Sequence, residues 1–152
     1  MTAARATAAA LALGACAVLS ACGGDGGGAG RPELSVSGAY IPQPPMADMA
    51  AGYLTVRNTG RAADTLTAVT SPLSRDVTLH TTTGTRMRQV GSLPVPADGE
   101  LRLAGGGSHL MFAGLAHRPE VGEKIRLTLR FAVSAPLTVT VPVQPLTYRP
   151  GG

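Results

Sequence analysis

The chain has 152 residues, a formal net charge of +4 and an aromatic content of only 3%. That length is about one domain. The positive charge sits on arginines scattered from Arg57 to Arg130 with no aromatic stacking surface beside them. This argues against nucleic acid as a partner and leaves a weak attraction to anionic headgroups as the fairer use of the charge.

In chain order, the first element is an export signal over residues 1–21. A lone Arg5 precedes an apolar run, residues 8–19, rich in Ala and Leu. The run is shorter than the roughly 20 apolar residues a spanning helix needs, and it has the charged start and apolar middle of a signal peptide. Leu19, Ser20, Ala21 and Cys22 then form a bacterial lipobox. Small residues let a signal peptidase approach the backbone, and the Cys22 thiol takes a diacylglyceryl group. The expectation is an exported lipoprotein on the outer face of the bacterial cytoplasmic membrane, each buried methylene of its anchor contributing about 0.8 kcal/mol. The other cysteine, Cys16, leaves with the signal, so the mature domain has no disulfide and no thiolate metal ligand. Residues 22–32 are the lipidated cysteine and a glycine-rich tether, which can bury nothing.

Residues 33–143 are the expected folded domain, followed by a loose tail over residues 144–152. Apolar residues in the domain recur with a period near two, the strand signal. Leu54 and Val56 alternate with Thr55 and Arg57; Leu66 and Ala68 with Thr65 and Thr67; Leu101 and Leu103 with Glu100 and Arg102. Ile125, Leu127, Leu129 and Phe131 form one face of a clear strand, and Leu137, Val139, Val141 and Val143 form another. Pro142 on the latter points to an edge strand or a strand end. Turn residues interrupt these runs at Asn58-Thr59-Gly60, Ser71-Pro72, Asp98-Gly99, Gly105-Gly106-Gly107 and Ala135-Pro136. Short, regularly spaced strands predict an all-β sandwich or barrel with an aliphatic core.

The segment from Val77 to Phe112 carries the chemistry. Val77 and Leu79 face the core, so His80 faces the other way, at a strand end. Leu110 and Phe112 face inward, so His109 and Met111 share the outer face, about 7 Å apart along the strand. Glycines before His109 suggest an open, loop-like setting. Met87 lies between Arg86 and Arg88 on a polar strand. Each residue alone has a plainer reading: His80 as a strand cap, Met87 as a gap filler. Together, two imidazoles and two thioethers without a thiolate suit Cu(I) and suit Zn(II) or Mg(II) poorly. A blue-copper electron-transfer site would need a cysteine that this domain lacks.

The run from His80 to Met111 resembles the PCuAC family of periplasmic copper chaperones. Twenty-one residues separate Met87 from the His109-Leu110-Met111 motif, the family's own gap. Leu93-Pro94-Val95-Pro96, Gly114-Leu115 and the upstream Ala51-Gly52-Tyr53-Leu54-Thr55-Val56-Arg57-Asn58 also match. The resemblance implies a cupredoxin-like Greek-key β-sandwich with His80, Met87, His109 and Met111 as Cu(I) ligands. It also implies delivery of copper to a cuproenzyme, such as the CuA centre of cytochrome c oxidase, or to another copper chaperone. The six residues between His80 and Met87 are a departure, since the family spacer is about ten, and Thr81 stands where a second Met is common. Met46 and Met49 fall in a proline-rich loop and are ordinary loop methionines, with a lid or secondary sulfur donors as the alternative. His117 is a surface residue. Competing functions are a copper-buffering or storage lipoprotein and a metal-free β-sandwich interaction module. The three histidines and scattered carboxylates make no evident acid–base pair, so an enzyme is the weakest class. Oligomeric state is not legible in the sequence.

Overall fold

The structure, a computed structural model, describes residues 30–151. The signal peptide, Cys22 and most of the tether lie outside the described residues. Ten strands follow in chain order: Leu34–Pro42 (β1), Met49–Asn58 (β2), Asp64–Thr70 (β3), Ser74–Thr83 (β4), Arg86–Val90 (β5), Leu93–Val95 (β6), Gly99–Leu103 (β7), His109–Leu115 (β8), Lys124–Phe131 (β9) and Leu137–Gln144 (β10). Among the described residues none is helical, as the period of two predicts.

The hydrogen-bonded order is β5-β4-β8-β2-β1-β10-β9-β3-β6, with β7 also on β2. Strands far apart in this order nevertheless share one core. Leu79 of β4 and Phe112 of β8 belong to the same buried cluster as Leu66 of β3 and Leu127 and Leu129 of β9. The sheet therefore folds over on itself, and the molecule is an all-β Greek-key sandwich. Burying each such leucine or phenylalanine contributes about 1.5–3 kcal/mol.

Strand β2 links the two ends of the fold. Its first residues, Met49 to Gly52, pair with β8, and its later ones, Leu54 to Asn58, pair with β7. Gly52 makes the first contact possible: a Cβ there would lie 2.8 Å from the Phe112 ring. Asn58, wholly buried, organises the turn that follows β2. Its Oδ1 accepts from the backbone N–H groups of Glu33 and Gly60, and its Nδ2 donates to the Ala62 carbonyl. In β1 the pairing with β2 shifts register between Ser37 and Tyr40, where Gly38 has φ +59°. This is a bulge built on glycine's access to the left-handed region.

Two local expectations change. The simple alternation through Leu66 and Ala68 breaks at a register shift against β9, so Val69 rather than Ala68 is the next buried residue. Pro142 is not on an edge strand: β10 lies between β1 and β9. Strand β1 joins it only at Val143 and Gln144, so the proline sits one residue before pairing on that side begins, near the strand's end. The chain's three tyrosines gather at one place. The ring centroids of Tyr40 and Tyr53 are 5.2 Å apart, and Tyr148, beyond β10, meets Tyr40 edge-on at 4.9 Å.

Candidate metal centre

The predicted donors sit on three neighbouring strands, β5, β4 and β8. Core packing sets their direction. Leu79, Leu110 and Phe112 are buried on the inner face, so the residues alternating with them point outward. The long-range register then decides who meets whom. His80 is directly opposite His109, and Thr78 is opposite Met111. The two imidazole rings stack with centroids 5.5 Å apart and planes 22° apart.

Met87 pairs with Thr82, and Gln89 stands opposite His80. Residues two apart on a strand share a face, so Met87 shares the face of His80, His109 and Met111. The short spacer therefore does not turn Met87 away. Opposite residues share a face, and the two-residue turn Gly84-Thr85 sets the register that puts Met87 opposite Thr82. Its placement is still peripheral. It is diagonal to His80, about 7–8 Å between backbones, and two strands from His109, about 12 Å by strand spacing and rise. It is 55% exposed. The backbone thus brings His80, His109 and Met111 together and leaves Met87 at the margin of the patch.

Two features of the histidines differ from expectation. His80 lies inside β4, which continues to Thr83, rather than at a strand end. His109 is not in an open loop: it begins β8 and is only 8% exposed, covered on one side by the stacked His80 ring. The preceding glycines supply a backbone contact instead. The His109 Nδ1–H donates to the Gly107 carbonyl at 3.0 Å, which leaves the Nε2 lone pair free. In His80, Nε2 and Thr78 Oγ1 share a hydrogen bond at 3.0 Å in which either group can be the donor, leaving Nδ1 as the other ring nitrogen. That Nδ1 is buried and has no hydrogen-bond partner. Burial, and next the neighbouring His109, hold the His80 imidazole below its ordinary pKa. It is therefore neutral near pH 7, the form that ligates metals.

A buried ring nitrogen without a partner is costly, and a soft cation bound at its lone pair would satisfy it. Among the described residues no three His, Cys, Asp or Glu side chains gather into a metal-binding group. Thr78 and Gly107 orient the two rings, as second partners of metal-ligating histidines do. Thr78, two residues before His80 on the same face, was findable from alternation alone. His117 lies elsewhere, paired with Glu123 at 2.7 Å on the surface. That contact and a hydrogen bond from the Glu120 backbone hold the Glu123 carboxyl below the usual range, the backbone bond contributing most.

Comparison with known proteins agrees with this architecture. Residues 34–143 match the family described as "Putative lipoprotein LpqE-like". The chain is 36% identical over 101 residues to "Putative lipoprotein Lxx21020" of Leifsonia xyli subsp. xyli (strain CTCB07), a match spanning 63% of this chain and 61% of that protein. It superposes on the solution structure of CuI-DR1885 from Deinococcus radiodurans with a TM-score of 0.65 and 30% identity, covering 80% of this chain and 85% of that one. The copper-bound PCuAC domain from PmoF2 gives a TM-score of 0.65 at 22% identity, covering 74% and 92%, and bears on the fold alone. These neighbours carry the cupredoxin-like β fold. With a profile match over nearly the whole folded domain, the chain belongs to the LpqE-like family, and its strand order is that of the fold it shares with PCuAC domains.

Proposed function

We propose that this protein is an extracytoplasmic Cu(I) metallochaperone that carries Cu(I) as cargo between His80, His109, Met111 and Met87. The observation that carries the reading is the stacked His80–His109 pair, with a buried, unpartnered Nδ1 on the face that also bears Met111. Two structural neighbours that hold copper, CuI-DR1885 and the PmoF2 domain, support it. Neutral imidazoles and thioethers are matched to a soft monovalent ion. They add no negative charge, so a thiolate-rich acceptor can draw the ion away. The two rings hold one side of the ion, Met111 adds a sulfur along β8, and the exposed Met87 folds inward to close the fourth position.

The same reading makes Cys22 the lipid attachment point and the outer face of the cytoplasmic membrane the place of work. The lipoprotein names of the relatives support that location. The acceptor is a cuproenzyme such as the CuA centre of cytochrome c oxidase, or another copper chaperone. Anaerobic competition between the purified full-length protein and a Cu(I) chelator tests the site. The expected result is one retained equivalent that His109→Ala releases. No retention would support a metal-free interaction module, and equal retention by the variant would remove His109 from the donors. Deleting the gene under copper limitation tests delivery. Lower oxidase activity, restored by added copper, is expected; unchanged oxidase would point to buffering or storage.

A further inference from the structure

Met49 was expected in a loop, but it is the first residue of β2. It pairs with Ala113 of β8, and the next residue on its own face, Ala51, pairs with Met111. Met49 therefore projects from the same face as Met111 and is its diagonal neighbour, about 7–8 Å away between backbones, a span long side chains bridge. Met49 is 48% exposed. Both methionines line one cavity of about 280 Å³, together with Pro44, Pro45, Tyr53 and Leu146. No charged side chain lines that cavity, so its only soft donors are the two sulfurs. The imidazoles are out of Met49's range: Ala113 is four residues along β8 from His109, about 13 Å by strand rise. Met111 thus stands between two sets of donors, the histidine pair on one side and a lone thioether on the other.

We propose that Met49 and Met111 form a second, two-sulfur Cu(I) station through which the ion passes as it arrives at or leaves the histidine site. This rests on the copper reading of that site. The step is ligand exchange without redox. Met111 Sδ stays bound, a dative bond from Met49 Sδ to Cu(I) forms, and the bonds from the His80 and His109 nitrogens and from Met87 Sδ break. Copper remains monovalent, and each departing donor keeps the lone pair it had shared with the ion. Two thioethers hold Cu(I) more weakly than two imidazoles and two thioethers, so the station fills transiently or beyond the first equivalent.

The test is anaerobic titration of the full-length protein in detergent, labelled with ¹³C at the methionine methyls and ¹⁵N in the histidine rings, using a Cu(I)–acetonitrile complex. In the expected result the first equivalent shifts Met111 and both imidazoles, and further Cu(I) shifts Met49 together with Met111. Met49→Leu should abolish the second phase and slow transfer to bathocuproine disulfonate several-fold. A Met49 methyl that stays still in excess Cu(I) while Met111 and the imidazoles respond overturns the station and leaves the first site standing. So does a Met49→Leu protein that transfers copper at the wild-type rate. Silence from Met111 and the imidazoles alike removes the copper site, and the station with it.

Discussion

His80→Leu should make the metal-free protein more stable while abolishing its response to copper. The wild-type side chain carries a buried Nδ1 with no partner, and such an atom costs about 1–3 kcal/mol. Replacing the imidazole by an apolar group removes that cost. It also removes the bond to Thr78 Oγ1, a loss of about 0.5–1.5 kcal/mol at most. Because Thr78 is only half-buried, water takes over much of that bond. The balance is a gain of about 1 kcal/mol, which for a domain near 100 residues raises the melting temperature by about 4 °C. Copper reverses the order. Free Cu(I) at about 100 times the dissociation constant stabilises the wild type by about 2.7 kcal/mol and should stabilise the variant little. Scanning calorimetry of both proteins at pH 7, with and without chelator-buffered Cu(I), reads the crossover. A metal-free variant that melts below the wild type would show that Nδ1 is not a destabilising atom. Equal stabilisation of the two by copper would remove His80 from the donors.

Three further outcomes follow from other parts of the molecule. Met87→Leu should change stability by less than about 0.5 kcal/mol, as expected of a surface substitution, yet weaken Cu(I) at least about tenfold, or about 1.4 kcal/mol, in chelator competition. Gly52→Ala should cost about 1–3 kcal/mol by overpacking, because its Cβ would press on the fully buried Phe112 ring; the denaturation midpoint checks it. Asp64 sets an acid limit on the fold. Burial alone would raise its pKa, but the backbone N–H groups of Thr65, Ser134 and Val133 that donate to it outweigh that and lower it. A depressed carboxylate contributes stability that is fully present above its unfolded pKa of about 3.9 and is lost as pH falls through the folded value. Asp64→Asn should therefore be less stable at pH 7, by about 1.5–3 kcal/mol for hydrogen bonds to a charged group, and flatter in urea-monitored stability below pH 4.

Strand content was legible because one face of each strand is buried and the other is wet, which writes a period of two into the chain. The same alternation shows that His109 and Met111 share an outward face, since Leu110 and Phe112 are aliphatic and aromatic neighbours that must be inside. The meeting of His80 with His109 was not legible from local pattern. It depends on the register of β4 against β8, two segments 29 residues apart in sequence whose pairing no local signal specifies. The burial of His109 was misjudged for the same reason, because the ring that covers it comes from another strand. Glycines before it signalled an open loop, whereas Gly107 supplies a carbonyl to the imidazole. Met49 was hidden by the prolines ahead of it, and Val69 by a bulge that alternation alone cannot reveal. The likeness of the His80-to-Met111 run to a known family supplied the non-local grouping that period and turn chemistry could not.

The gathered tyrosines have a practical consequence. The chain has no tryptophan, and Tyr40, Tyr53 and Tyr148 are its whole phenolic supply. Tyr53 borders the cavity that Met111 also lines. Ultraviolet emission from the protein therefore originates from a single neighbourhood beside the candidate donors, and it offers a built-in optical gauge of whatever lands there, with no dye attached.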